Sequence, residues 1–438
     1  MTNVTARPQK PTRRGSALVT DGEHTAAGAQ PPAPRKSRSR LLGALALMGP
    51  GFIVGAWQFG PGNLASAVQA GSLHGYDLIW VIAVSTVLML GFTDMSVRIA
   101  LASDRSLIQM IKKRLGKVTG VAAGIGVFLI TLMFSVGNAV GSGLGMSMVF
   151  GGSPTLWTLA CTVLVAIVAW APNYYKVFER GLLAIIALMA IGFLASAVLT
   201  KPDWVEVADG FIPSLPPGAG MLLVALVGTN FSINAAFYTG YASRERGLRP
   251  EQYKATTLAD TIPGIVAPGI MTILVIVAAA TALRATGGEA KTLADLAKVL
   301  EPVAGPAGPI VFGLGFTCAA FSSMIANATA GGTLISDALG WGNKLDRHRV
   351  KAMICLVLAF GLAVTLLAQG SPIQLIITAQ ALTVIVAPLL GILLLIMATR
   401  KDVMGKYVNR WWQTLLGLVG LIAILATCYR LASSLLGG

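Results

Sequence analysis

The most informative part of this sequence is the stretch Gly49-Pro-Gly-Phe-Ile-Val-Gly-Ala-Trp-Gln-Phe-Gly-Pro-Gly-Asn63. It lies inside an apolar segment, 41–71, that is long enough to span a bilayer. Pro61 lacks an N–H and clashes with the carbonyl group one turn earlier, and the glycines beside it weaken a helix further. Backbone groups freed inside lipid need other partners, so the stretch predicts a broken helix with a binding site at mid-membrane. The alternative is a kink that binds nothing, because Pro and Gly are common in membrane helices.

The composition is that of a membrane protein. Of 438 residues, 55% are hydrophobic and 12% are charged, against about 25% charged residues in soluble domains. A net charge of +15 would suit a nucleic-acid partner, but the basic residues lie in short loops between apolar segments, which is the usual signal of membrane topology. The four cysteines have no metal or disulfide spacing. Because no histidine, acid pair or nucleophile–base pair lies inside an apolar segment, we expect neither an enzyme nor a cofactor.

Eleven apolar segments follow one another, and most reach the roughly 20 residues that a spanning helix needs. They are 41–71, 78–101, 119–150, 154–171, 178–199, 219–243, 257–283, 307–337, 350–368, 373–398 and 411–436. The first 40 residues are rich in Pro, basic and small residues, which predicts a disordered tail. The sequence therefore predicts an all-α polytopic membrane protein, with a tail over 1–40 and a membrane domain over 41–438.

The loop charges give the orientation in the plasma membrane. With a cytoplasmic tail, the loops after even-numbered segments hold nineteen Lys and Arg residues, and those after odd-numbered segments hold four. This asymmetry predicts a cytoplasmic N-terminus and an extracytoplasmic C-terminus. Acids near the basic ends of their segments are expected in ion pairs; they are Asp94, Glu179, Asp260 and Asp337.

A second interruption, Gly228-Thr-Asn-Phe-Ser-Ile-Asn234, places four polar side chains in the sixth segment. The first and sixth segments occupy corresponding positions in two five-helix halves, about 41–199 and 219–398, with an extra helix at about 411–436. Paired interruptions of this kind point to the binding site of a transporter built from inverted repeats. The alternative is a polar seam that joins helices through hydrogen bonds.

These residues resemble the Nramp family, divalent-metal transporters with a leucine-transporter-like inverted-repeat fold. Gly49-Pro-Gly-Phe52 and Gly60-Pro-Gly-Asn63 are similar to the first helix of the family, whose motif is Asp-Pro-Gly-Asn. Further similar positions are Tyr174, Lys176, Glu179, Asp260, the run Ser323 to Gly332, and the pair Gln374 and Gln380. The resemblance implies an alternating-access secondary transporter with two broken helices.

The chemistry of the family is missing at several matching positions. The metal-binding Asp of the family is Gly60 here, and its metal-binding Met is Ser232. The Pro and His that follow this Met in the family are replaced here by Ile233 and Asn234. The two acids of the family's proton pathway are replaced by Ser135 and Asn138. Because transition metals are selected by ligand softness and geometry, we expect weak binding of Mn²⁺ or Fe²⁺ and no metal ligands in the chain.

Our leading hypothesis from the sequence is import of a small polar organic solute that carries a carboxylate or an amide. The half-helix that begins at Pro61 presents free N–H groups and a positive dipole end with no acid beside it. Gly60 and Gly62 would allow close approach of the solute. The side chains expected to contact it are Asn63, Thr229, Asn230, Ser232 and Asn234, with Gln58 and Gln380 further out.

Two alternatives remain open. One is a transporter of divalent cations as in the parent family, either Mn²⁺ or partly hydrated Mg²⁺; the other is a membrane sensor without transport. The coupling ion is Na⁺ or H⁺, and the Ser322–Ser323 pair is either a Na⁺ site or a packing feature. The expected partners are the cargo and the lipid bilayer, without nucleic acid. A monomer is compatible with the sequence, which does not specify an oligomeric state.

Overall fold

The computed structural model describes residues 55, 57–170, 172–283, 290 and 292–435, with side chains from 185 onwards in the sixth helix, all within the compact unit Ala44–Gly438. The predicted tail over 1–40 and the first half of the first segment lie outside the described residues. The longer helices are α1 Pro61–His74, α2 Ile79–Ala102, α3 Leu107–Leu115, α4 Lys117–Phe150, α5 Pro154–Trp170, α6 Pro172–Leu199, α7 Gly220–Asn230, α8 Ile233–Glu245, α9 Ile262–Leu283, α10 Gly308–Ala338, α11 His348–Leu367, α12 Pro372–Leu382, α13 Ala387–Thr399 and α14 Trp411–Leu435.

These helices follow the predicted segments closely. In the described ranges, seven helical segments are each long and apolar enough to cross a membrane, and α12 with α13 forms an eighth, bent one. The shorter apolar helices α5 and Ile185–Leu199 account for the fourth and fifth segments. Helix α1 is the second half of the first predicted segment. The described elements are helical, and they include enough long apolar helices to confirm the prediction of an all-α polytopic protein.

Both predicted interruptions are present. Gly60 has extended backbone angles, φ −82° and ψ 178°, and Pro61 occupies the first position of α1, where its missing N–H costs no helical hydrogen bond. The sixth segment is divided into α7 and α8 by two non-helical residues, Phe231 and Ser232. Each break leaves helix ends whose backbone groups lack helical partners.

A third interruption was not predicted. The tenth segment, expected to be one helix over 373–398, consists of α12, a 3₁₀ turn Thr383–Ile385 and α13. The two helices meet at 42°. Pro388 lies in the first turn of α13, where a proline starts a helix without losing a hydrogen bond. The apolar segment over 373–398 is therefore present as one bent span, and the bend itself was not predicted.

Small residues bring the long helices α4 and α10 together. A Cβ added to Gly145 would lie 2.2 Å from Thr317 Oγ1, and one added to Gly331 would lie 2.3 Å from Thr131 Oγ1. Close approach of this kind is how helices associate in lipid, where burial of apolar surface gives little driving force between them. The small residues of the predicted eighth segment therefore serve packing.

The basic loops meet at one end of the helices, which we call the basic end: 103–106, 246–252, 339–347 and 400–410. Arg244 of α8 donates to carbonyl groups at the end of α2. Asp94 pairs with Arg98 at 2.8 Å, as expected. Asp337, in contrast, is buried and accepts hydrogen bonds from neutral groups; the donors are Tyr241 Oη (2.6 Å), Gln109 Nε2 (2.8 Å) and Ser106 Oγ.

Candidate functional site

The centre of the candidate site is the side chain of Gln380, a residue of α12. It lies between the two breaks and α4. A Cβ on Gly62 would come within 2.4 Å of Gln380 Cδ, and one on Gly137 within 2.6 Å of Gln380 Nε2. The Gln380 amide therefore fills the space that side chains at these two positions would occupy. Glycine is required at both positions for this arrangement.

Gln380 is fully buried, yet neither its amide oxygen nor its amide nitrogen has a hydrogen-bond partner in the described part of the chain. Leaving a buried polar group unpaired costs about 1–3 kcal/mol. Such groups are uncommon in native proteins, and each needs an explanation, for example a bound molecule. The amide offers one acceptor and two donors beside the start of α1.

Gln58 connects the two breaks to each other, and Asn63 fixes the backbone of Gln58 and anchors the first break to α9. Gln58 Nε2 donates to the carbonyl oxygen of Asn230 at 3.0 Å. Asn63 Nδ2 donates to the carbonyl oxygen of Gln58 at 3.0 Å, and its Oδ1 accepts from Thr272 Oγ1 of α9 at 3.1 Å. Both predicted site residues lie at the breaks, and the hydrogen bond of Gln58 holds the two breaks together.

Two predicted site residues on α7 point elsewhere. Asn230 Nδ2 donates toward Ser85 Oγ and Thr86 Oγ1 of α2, both at 2.8 Å. Thr229 Oγ1 donates to the carbonyl oxygen of Leu226 in its own helix at 3.0 Å. The structure therefore does not bring these donor groups together with the remaining site residues.

Ser232 and Asn234 form a chain of hydrogen bonds that leads away from the α7–α8 break. Ser232 Oγ donates to Asn234 Oδ1 at 2.8 Å, and Asn234 Nδ2 approaches Asn327 Oδ1 of α10 at 3.5 Å. Asn327 Nδ2 donates to the carbonyl oxygen of Thr131 in α4 at 2.8 Å. Asn327 was not among the predicted site residues, although an Asn within an apolar segment was a usable signal.

The space beside this chain is small. A cavity of about 10 Å³ is lined by Ser232, Asn234 and Thr383 together with apolar residues of α4, α7 and α13. This is room for roughly one water molecule. The centre is therefore closely packed in this conformation.

Two further unpaired groups border the centre. Asn138 Nδ2, next to Gly137, and Trp57 Nε1 are buried without a partner among the described residues. The Trp57 ring meets Phe134 of α4 edge to face, with centroids 6.3 Å apart. Asn138 was recognised from the sequence as a lost acid, and it directly follows Gly137, the residue that contacts Gln380; this position makes it a candidate contact.

The predicted sodium pair is divided between two environments. Ser323 is buried, and a Cβ on Gly60 would lie 3.1 Å from Ser323 Oγ, so this hydroxyl faces the break before α1. Ser322 is only partly buried. Neighbouring residues point about 100° apart on a helix, so both hydroxyls cannot face one small ion in the same way.

The side chains assembled at the centre are neutral amides and hydroxyls. Within the described ranges, no group of three or more His, Cys, Asp or Glu residues is arranged to hold a metal ion. Donors and acceptors of this kind bind hydrogen-bonding molecules and hydrated ions, but they provide neither a soft ligand nor a proton carrier.

A larger cavity, the vestibule, lies at the basic end and measures about 520 Å³. Its lining residues come from α8, α10 and the loop after α10: Tyr238, Tyr241, Arg244, Glu245, Thr333, Asn343, Lys344, Leu345 and Asp346. Helix α8 begins at the break and ends beside this vestibule. It therefore joins the centre to an opening of the molecule.

Known proteins similar to this chain are transporters. It is 25% identical over 405 residues to a divalent metal cation transporter, MntH, of Deinococcus radiodurans, covering 90% of this chain and 91% of the relative. Its fold is similar to that of a manganese transporter of Eremococcus coleocola solved with an aromatic bis-isothiourea substituted compound, with a TM-score of 0.75, 17% identity, and 91% and 88% of the two chains covered.

A more distant likeness is to a transporter of another family. Mhp1, a nucleobase-cation-symport-1 family transporter solved with bromovinylhydantoin bound, matches with a TM-score of 0.54 and 14% identity over 88% of this chain and 92% of Mhp1. The helices therefore have the predicted leucine-transporter-like arrangement. A family model described as natural resistance-associated macrophage protein-like matches residues 51–434, and the chain belongs to the Nramp family.

Proposed function

We propose that this chain is a secondary transporter that carries a divalent cation by alternating access, and that the cation retains part of its water shell at the central site. Membership of the Nramp family and the similarity to MntH support a divalent cation. The observation that carries the hydrated form is the unpaired, buried Gln380 amide beside the start of α1. This proposal replaces the organic solute, our leading hypothesis from the sequence, as the main candidate.

The hydrated form follows from the ligands available. The water shell of a cation presents O–H donors outwards, and amide oxygens such as those of Gln380 and Asn327 accept such bonds. The C-terminal end of α7, at the α7–α8 break, adds the negative end of a helix dipole. Mg²⁺ keeps several waters in protein sites, whereas Mn²⁺ and Fe²⁺ are selected by direct ligands. We therefore expect Mg²⁺ to be preferred, at low affinity, since no carboxylate offsets the charge.

An organic solute with a carboxylate or amide is the second candidate. It is favoured by the start of α1, where Gly60 provides no side-chain cap and no acid lies in the first turn. Free N–H groups at a helix start attract anions. The hydantoin bound to Mhp1 is an organic molecule held by a protein of similar fold.

Uptake into proteoliposomes distinguishes the two candidates. We expect transport of Mg²⁺, weaker transport of Mn²⁺, and no transport of amino acids or small organic acids. Gln380→Glu, which adds a negative charge at the centre, is expected to raise the apparent affinity for divalent cations at least several-fold. Gln374→Glu is the matched control, because Gln374 lies on the same helix but is exposed.

Uptake of organic acids or amino acids by the proteoliposomes, without uptake of any divalent cation, would overturn the cation proposal in favour of the second candidate. No transport of either class, with the folded protein verified by its thermal transition, would favour the sensor alternative. Import is part of the same proposal. A cytoplasmic N-terminus is also part of it, and the loop charges support this orientation.

A further inference from the structure

An apolar groove lies between α2, α7 and α14 and reaches the α7–α8 break at its deep end. It contains a cavity of about 270 Å³. We call it the lateral groove, and its lining residues include Trp80, Val84, Val227, Phe231, Thr427 and Arg430. Helices α2 and α14 are each long and apolar enough to cross a membrane, and α7 is the first half of a third such segment, so lipid is the medium next to this groove.

The polar atoms of the groove wall are already used inside the protein. Ser85 Oγ donates to the carbonyl oxygen of Val81 at 2.6 Å, and Thr427 Oγ1 donates to that of Ala423 at 2.7 Å. Trp80 Nε1 donates to the carbonyl oxygen of Ser214 at 3.0 Å. Apart from Arg430, the wall therefore offers no free side-chain donor to a polar molecule, and its remaining surface suits a hydrocarbon chain.

One charge stands at the end of the groove. Arg430 lies in the last turns of α14, and no carboxylate of the described residues lies within 4 Å of its guanidinium. Helix α14 follows the basic loop 400–410, so Arg430 lies at the opposite end, as does Trp80 near the start of α2. Trp and Arg are typical of the membrane interface, and guanidinium groups bind phosphate through two parallel hydrogen bonds.

The length of the groove matches an acyl chain that enters from this interface. Ala423 to Arg430 spans about 10 Å along α14, and Trp80 to Leu88 spans about 12 Å along α2, at 1.5 Å per residue. Half of the hydrocarbon core of a bilayer is about 15 Å thick. A chain held at the interface therefore reaches the deep end of the groove.

We propose that the lateral groove binds an anionic phospholipid, with one acyl chain along α2, α7 and α14 and the phosphate on Arg430. The deep end consists of Val227 and Phe231, which also line the small cavity beside Ser232 and Asn234. The bound chain therefore contacts the α7–α8 break and supports it from the lipid side. Its effect on transport rests on the proposed function; its binding does not.

Thermal stability of the full chain in detergent, freed of lipid and titrated with phosphatidylglycerol or phosphatidylcholine, tests the binding. We expect phosphatidylglycerol to raise the melting temperature by several degrees more than phosphatidylcholine. Arg430→Gln is expected to abolish this difference, and Arg430→Lys to keep part of it. Lys201→Gln is the matched control, because Lys201 is an exposed cation at the same end of the helices outside the groove.

A second variant separates the groove from general attraction of anions. Val84→Phe adds volume to the groove wall and leaves Arg430 in place, so we expect it to lose the phosphatidylglycerol effect. Equal stabilisation by the two lipids in the unmodified chain, or an unchanged preference in Arg430→Gln, would overturn the proposal. An unchanged preference in Val84→Phe would show that anions bind Arg430 without a chain in the groove, which also contradicts it. These measurements involve no transport, so their failure is distinct from failure of the proposed function.

Discussion

At the scale of single residues, the central site depends on glycines that make room for one glutamine. Gly62 and Gly137 come from helices far apart in the chain, and both would clash with Gln380 if they carried a Cβ. Gly60 has a different role. Its extended backbone angles are open to any residue, so the absence of a side chain matters because it allows close contact with Ser323. Gly60 and Gly62, which belong to the same motif in the sequence, therefore make room for different side chains in the structure.

Gly62→Ala is expected to destabilise the protein by about 1–3 kcal/mol, because it overpacks the space that Gln380 fills. The double variant with Gln380→Ala should recover most of this loss, since the smaller side chain removes the clash. Thermal unfolding of the two single variants and the double variant measures the coupling. Gly192→Ala is the control, because a Cβ there makes only ordinary contacts. Additive effects of the two changes would contradict the predicted contact.

Sodium coupling stays a proposal, and the two serines allow a direct test. Ser323→Ala removes the hydroxyl that faces Gly60 and is expected to abolish stimulation of uptake by Na⁺. Ser322→Ala, with a partly buried side chain, should leave stimulation unchanged. Uptake is compared in sodium and choline buffers. Equal uptake by the unmodified chain in both buffers would remove sodium as the coupling ion.

At the scale of elements, α8 connects the centre with the vestibule, and its far end is held by the buried carboxylate of Asp337. The Asp337 side chain accepts from Tyr241 of α8 and from Ser106 and Gln109 around α3. Alternating access in this fold requires helices to move relative to one another. We therefore expect the hydrogen-bonded junction between α8, α10 and α3 to restrain opening at the basic end.

Tyr241→Phe removes one donor to Asp337 while keeping the aromatic ring. We expect a loss of about 1–3 kcal/mol from the closed junction, because a buried acceptor loses its partner. A cysteine introduced at Thr333 in the vestibule wall should then react faster with a soluble maleimide. Tyr238→Phe is the comparison, because Tyr238 lines the same vestibule. Equal reactivity in Tyr241→Phe and the unmodified background would show that the hydroxyl does not restrain the opening.

At the scale of the whole molecule, fold and cargo are separable. The same arrangement of helices occurs in a manganese transporter and in Mhp1 with a bound hydantoin. In this chain, the described polar side chains at the two breaks are neutral amides and hydroxyls.

The predicted orientation is tested by labelling of single cysteines in intact cells. With Cys355 and Cys428 replaced by Ala, we expect an impermeant maleimide to label Lys201→Cys from outside. Arg105→Cys should react only after permeabilisation, because its loop belongs to the basic end and positive loops stay inside. Both positions are exposed. Labelling of Arg105→Cys in intact cells would reverse the proposed topology.

The sequence by itself determined the class of the protein, the positions of the spanning segments and the breaks before Pro61 and at residues 231–232. These depend on local chemistry: the length of an apolar run, a missing N–H, and glycines that weaken a helix. Only the tertiary structure decided that Gln380 faces Gly62 while Asn230 turns to α2, and that the tenth segment bends. Those outcomes depend on the rotation and packing of helices that are distant in the chain, and no local pattern encodes them.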